Sequence, residues 1–158
     1  MKLPACMPGG GRLVAAMATA MGMACSGGRS APPRSAAEVT RLRWIEGTWR
    51  GTGDVEAPFY ERYHFENDST LVENGLDSTL AVEQDTSRFE LRNGRFGNPR
   101  WQATALTADS VVFVGSADPT RTFRWREGKD AWTAVIGIPA RAGRPAGQRI
   151  YHMERWPR

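Results

Sequence analysis

The sequence predicts an all-β protein: a single up-and-down antiparallel β-barrel of about ten strands, with a short N-terminal helix plugging one end. Three observations carry this. After Gly47, short runs of alternating apolar and polar residues recur at roughly ten-residue spacing, with turn residues between them. No segment between these runs is long enough for a crossover, so consecutive strands are antiparallel neighbours. Ahead of them, Leu42-Arg43-Trp44-Ile45-Glu46 is a short apolar lead-in to Gly47-Thr48-Trp49-Arg50-Gly51, where the alternation begins. An open sandwich fits the same pattern. Closure is the better solution because it leaves no edge strand exposed.

Three regions follow from composition. Residues 1–24 read as an export signal: Lys2 and Arg12 supply positive charge, and 13–24 (LVAAMATAMGMA) is a weakly apolar run. That run is too short for a membrane-spanning helix, which needs roughly 20 apolar residues. Residues 25–34 are Gly, Ser, Ala, Pro and Arg after Cys25, and such a composition predicts a flexible tether. Residues 35–158 form the barrel domain. Its first turn is a capping box, with Ser35 as N-cap and Glu38 three residues on. The alternative for the lead-in is an irregular segment.

Ala24-Cys25-Ser26 resembles the lipobox of bacterial lipoproteins, which implies lipidation of Cys25. Gly22 departs from the Leu preferred three residues before the Cys. The expected location is therefore exported: lipid-anchored to a bacterial membrane (periplasmic or outer-membrane), or secreted by ordinary cleavage. An incidental Cys25 is the remaining alternative. Cys6 lies inside the signal, so a chain starting at Cys25 would have no disulfide partner. The formal charge of +4 falls to +2 once Lys2 and Arg12 are removed. That is too mild, and too evenly scattered, for a nucleic-acid partner.

Expected strands are 48–55, 59–66, 70–76, 79–83, 87–92, 101–106, 111–114, 121–126, 131–138 and 148–156. Asn93-Gly94 is the strongest hairpin signal, since both residues tolerate positive φ. Asp118-Pro119 breaks the chain, and 141–147 is a longer loop. Alternation points Trp49, Gly51, Gly53 and Val55 inward. The same rule puts Phe59, Glu61, Tyr63 and Phe65 inside, then Trp101, Ala103 and Ala105, then Phe123 and Trp125, then Trp132, Ala134, Ile136 and Ile138. The last strand is ambiguous: Arg149, Tyr151, Met153 and Arg155 oppose Ile150, His152, Glu154 and Trp156.

The Gly47-x-Trp49 opening resembles that of lipocalin-like (calycin) barrels. The resemblance implies that Arg155 stacks across Trp49 to close one end, by a cation–π contact and hydrogen bonds to leftover carbonyls. Arg149 would then also point inward, into the same interior as Glu61. Two outcomes follow. Glu61, Tyr63, Arg149 and Tyr151 are polar handles for a ligand, with Trp101 and Trp125 as cavity walls; or the charges form an internal pair or water network and the interior is filled.

Gly47 to Gly53 is also similar to the G-x-W-x-G-x-G opening of nitrobindins, continued loosely by Pro58 to Glu61. Nitrobindins bind haem through a His near the start of the last strand. Here Arg149 stands near that place, and His152 falls on the outward parity. Over residues 42–156 the chain resembles an uncharacterised bacterial lipocalin-like domain, in Leu42 to Gly51, Val112-Phe113, Asp118-Pro119, Phe123 to Asp130 and Ala131 to Gly137. That resemblance implies the fold and no activity.

No zinc-spaced His/Cys set, H-E-x-x-H, G-x-S-x-G or phosphate loop is present. Carboxylates are plentiful, Glu61, Glu66, Glu73 and Asp77 among them, but strand charges are ordinarily solvated. We therefore expect no catalytic residue, metal or cofactor. The expected function is binding of a small apolar or amphiphilic ligand, with membrane association through the lipid anchor alone. The alternatives are a filled interaction barrel of the cell envelope and a nitrobindin-like haem protein.

Overall fold

A computed structural model describes residues 33–157 apart from Val55 and Val82. The expected export signal, the lipidation site Cys25 and the tether up to residue 32 lie outside the described residues, as does Val55. Pro33 and Arg34, at the end of the expected tether, lie along the barrel: the Arg34 N–H donates to Gly94 O at 2.8 Å.

The Ser35 capping box forms. Ser35 Oγ accepts the Glu38 N–H at 3.3 Å, and the Glu38 carboxylate accepts the Ser35 N–H at 2.8 Å. The helix α1 (Ala36–Val39) then tightens into a 3-10 turn over Thr40–Ile45. Side chains three apart eclipse in that geometry. Val39, Leu42 and Ile45 therefore share one face and are fully buried at the barrel base. Trp44 packs edge-on against Trp132 with centroids 6.3 Å apart.

Ten strands follow: β1 (Gly47–Gly53), β2 (Phe59–Asn67), β3 (Thr70–Leu76), β4 (Glu83–Arg92), β5 (Arg95–Gly97), β6 (Trp101–Leu106), β7 (Ser110–Gly115), β8 (Thr122–Gly128), β9 (Ala131–Ile138) and β10 (Gly147–Arg155). Each pairs antiparallel with the next, and β1 closes on β10, giving an up-and-down barrel with no free edge. One expected strand is not formed and another is longer than expected. Residues 79–81 belong to a turn and Glu83 begins β4: the Leu80 N–H, at φ 63°, donates to Asp77 O at 3.0 Å, while the Thr79 hydroxyl donates to the Asp77 carboxylate. Residues 87–92 are the end of that same long strand. The tenth strand is instead β5, formed where the Asn93-Gly94 turn, with φ 51° and 72°, folds the chain back so that Phe96 is fully buried.

Alternation sets the inner face as expected, with two corrections. The β6–β7 register shifts between Ala103 and Ala105. This bulge reverses parity, so Ala105 is exposed and Leu106 is buried. The bulged Thr104 carbonyl accepts the Arg34 guanidinium at 2.7 Å. Ile138, expected inside, is 40% exposed where β9 runs out past the wall.

The two barrel ends differ. Tight turns at 68–69, 93–94, 107–109 and 129–130 close the base, together with the N-terminal plug. Longer loops at 54–58, 77–82, 116–121 and 139–146 ring the mouth. The wall is also thin at one place: β5 meets β6 at the single pair Gly97↔Gln102.

The base is sealed as the resemblance implied. The Arg155 guanidinium lies 4.4 Å from the Trp49 ring centroid and donates to Glu46 O at 3.1 Å. Trp49 Nε1 donates to Ile45 O at 2.6 Å. Gly47 has φ 129°, and a Cβ there would collide with the Arg155 guanidinium. The rest of the motif has the same logic. A side chain at Gly51 would run into the Phe59 ring, and one at Gly53 would crowd Tyr151. The inner face of β1 is thus Trp49 flanked by three glycine seats, taken by Arg155 at Gly47, Phe59 at Gly51, and Tyr151 with Glu56 at Gly53.

Candidate functional site

A cavity of about 410 Å³ occupies the upper barrel. Small-molecule sites span roughly 300–1,000 Å³. Phe59 and Tyr151 form one wall, with ring centroids 5.5 Å apart at 82°, held over Gly51 and Gly53. Trp101 and Phe123 form another, 5.6 Å apart. Trp132, Phe89 and Met153 make the floor. Below them the interior is solid.

Glu61, Tyr63, Trp101 and Tyr151 line this cavity as the sequence suggested. Trp125 does not. It is fully buried beneath the floor, packed against Tyr63, Phe89, Phe113, Phe123 and Trp132 with centroids 5.0–6.0 Å away. Trp132 holds the place expected of Trp125. Arg149 shares the inward parity of Tyr151 but lies at the rim, opposite Ile136, with about half its side chain in solvent. It donates to Glu56 Oε1 at 2.9 Å, so the expected interior pairing with Glu61 is absent. The reason is depth: Glu61 is level with Trp49, well below Arg149, and desolvation favours leaving a guanidinium at the rim.

Glu61 has a different partner. The Tyr63 hydroxyl donates to Glu61 Oε2 at 2.7 Å. Across the strand pair, Tyr63 stands opposite Glu73 on β3, and Glu73 opposite Ser87 on β4. Glu73 and Ser87 both line the cavity. The sequence reading counted Glu73 among solvated carboxylates and missed this cluster. Burial raises the pKa of Glu61, opposed by the Tyr63 hydrogen bond. Burial, then the charges of Glu61 and Asp85, push Glu73 up to about 8. Burial and the two glutamates push the Tyr63 phenol well above its usual value. At neutral pH the cluster therefore holds a neutral Glu73 and a neutral tyrosine beside Glu61.

Other residues of the mouth were not anticipated. Glu56 accepts from Arg149 and also raises the Tyr151 pKa, after burial. Arg121 lies 5.4 Å from the Trp101 centroid. Where β4 and β6 part, a side groove meets the cavity at Glu73, Ser87, Asn98 and Arg100.

His64 and His152 are both exposed on the outer wall, so no imidazole reaches the cavity. The residues present do not fit haem ligation by histidine. Among the described residues, no three His, Cys, Asp or Glu side chains gather as a metal site requires. Comparison with known protein families and with curated proteins finds no match to the chain.

Proposed function

We propose that this protein is an exported, lipocalin-like binding protein whose barrel holds one small amphiphilic molecule. The observation that supports it is the cavity itself. Its walls are aromatic, two carboxyls and a phenol cluster inside it at Glu61, Glu73 and Tyr63, and its mouth is ringed by loops. That combination of an apolar enclosure and a few placed polar groups is the general form of a small-molecule site. Cys25, lipid-modified, would anchor the barrel to a membrane surface through residues 26–32.

The filled lower half is the feature that favours a purely structural barrel, but the packing stops at Trp132 and Phe89. A neutral fluorescent probe such as N-phenyl-1-naphthylamine separates the two. We expect saturable one-to-one binding, weakened at least tenfold by Ile136→Trp, which fills the mouth. Absence of saturable binding, or binding untouched by that variant, refutes the ligand role.

A further inference from the structure

We infer that the cavity selects an organic cation, an amine or quaternary ammonium on a short apolar body, whose charge sits beside Glu61 and Glu73. This rests on the ligand-binding reading above and narrows it to a chemical class.

The cavity is predominantly acidic, lined by the carboxyls of Glu56, Glu61 and Glu73 against one base, Arg100. Glu61 on β2 and Glu73 on β3 are near neighbours on the inner face, with Tyr63 adjoining both. Among the described residues, no Arg, Lys or His pairs with either carboxyl. Buried carboxylates ordinarily pair with a base or neutralise by holding a proton. Arg149 at the rim is bound to Glu56, and Arg100, which lines the cavity, is exposed and forms no ion pair with either carboxyl.

The walls agree with the charge. Phe59, Tyr63, Phe89, Trp132 and Tyr151 present aromatic surface around the carboxyls. Aromatic faces attract a cation, most strongly where water is excluded. An alkyl tail driven down to this depth would instead strand two carboxyls against hydrocarbon. Among the described residues three buried indole N–H groups have no acceptor, those of Trp44, Trp125 and Trp132, and of these only Trp132 lines the cavity. The Trp132 indole N–H is buried on a residue only 2% exposed, and it has no acceptor. A ligand with an acceptor atom near its cation would satisfy it. A metal ion is a poorer occupant, for want of a third converging ligand.

Binding a cation would release the proton held at Glu73 to solvent. The groups facing Glu73 are Glu61 and Tyr63 from β2, and Asp85 and Ser87 from β4; at the rim stand Glu56, Arg149, Tyr151 and Arg100. Raising the pH through about 8 ionises Glu73 and should tighten binding of a permanently charged ligand.

The test is calorimetric titration of the full chain with octyltrimethylammonium, octyl sulfate and octanol at pH 6 and pH 9. We expect the ammonium to bind at least tenfold more tightly than the other two at pH 9. It should also weaken severalfold at pH 6. Glu73→Gln and Glu61→Gln should each reduce the ammonium preference, and Glu73→Gln should flatten its pH dependence, with naphthylamine binding retained as proof of an intact cavity. Octyl sulfate or octanol binding as tightly as the ammonium overturns cation selectivity while leaving the ligand cavity standing. Failure of all three together with the naphthylamine probe overturns both.

Discussion

Trp125 and Trp101 are the same residue type on neighbouring parts of the wall, yet they live in different environments. Trp125 is ringed by five aromatic side chains and has no exposed surface. Trp101, at the mouth, meets Phe123 on one side and the Arg121 guanidinium on another, and part of it faces the cavity. The lower barrel is built as a core, where every indole fills volume. The upper barrel is built as a container, where aromatic rings are held back by glycine seats to leave space. The contrast teaches that dense packing and open space are separated along the barrel axis.

The sharpest way to break that contrast is to truncate one ring in each half. Trp125→Ala should cost about 3–5 kcal/mol, by lost burial and the cavity left behind. Phe59→Ala, at the mouth, should cost clearly less and show its effect in ligand affinity. Urea unfolding of both variants checks this; equal losses would mean that the upper half is as tightly packed as the base.

A second test uses the carboxyl pair. Glu73 in the folded chain keeps its proton up to about 8, whereas an unfolded glutamate loses it near 4.5. Between these values the native state binds more protons than the unfolded one. Its contribution is therefore fully present below about pH 4.5 and is lost as pH rises through about 8. Stability should fall by a few kcal/mol over that window on the rough scale of such linkages, and Glu73→Gln should remove most of the fall. A wild-type curve flat from pH 5 to pH 9 would place Glu73 in water.

The smallest effects compare two arginines of β10. Arg155→Ala loses a ring contact and a backbone hydrogen bond at the base, about 1–2 kcal/mol together. Arg149→Ala breaks a rim pair with Glu56 and should cost less than about 1 kcal/mol. The reverse order in thermal unfolding would mean that the rim, not the base, locks the barrel.

The closed end was legible because its signals are local. The Ser35 cap and the Asn93-Gly94 turn each act within a few residues, and each forms as read. The site was harder. In β3, Val72 and Leu76 make the outward face look like the core, and both are indeed buried there, beside the Asn74 side chain that donates to Glu83 and Thr86. Hydrophobic alternation therefore points Glu73 toward solvent. Only its register against Tyr63 turns it into the cavity. The bulge at Ala103–Ala105 defeated alternation in the same way, since one extra residue reverses every later side chain.

By itself the sequence determined the fold class and the order and antiparallel sense of the barrel, whereas the Arg155 seal over Trp49 was implied only by the resemblance to calycin barrels. Period-two patterning and turn chemistry are properties of neighbouring residues, so they survive without coordinates. The tertiary structure alone decided how deep each inward residue lies. That depth put Trp125 under the floor, left Arg149 at the rim and brought Glu61 and Glu73 together inside. Depth depends on strand register and stagger around the closed sheet, which no stretch of chain specifies alone.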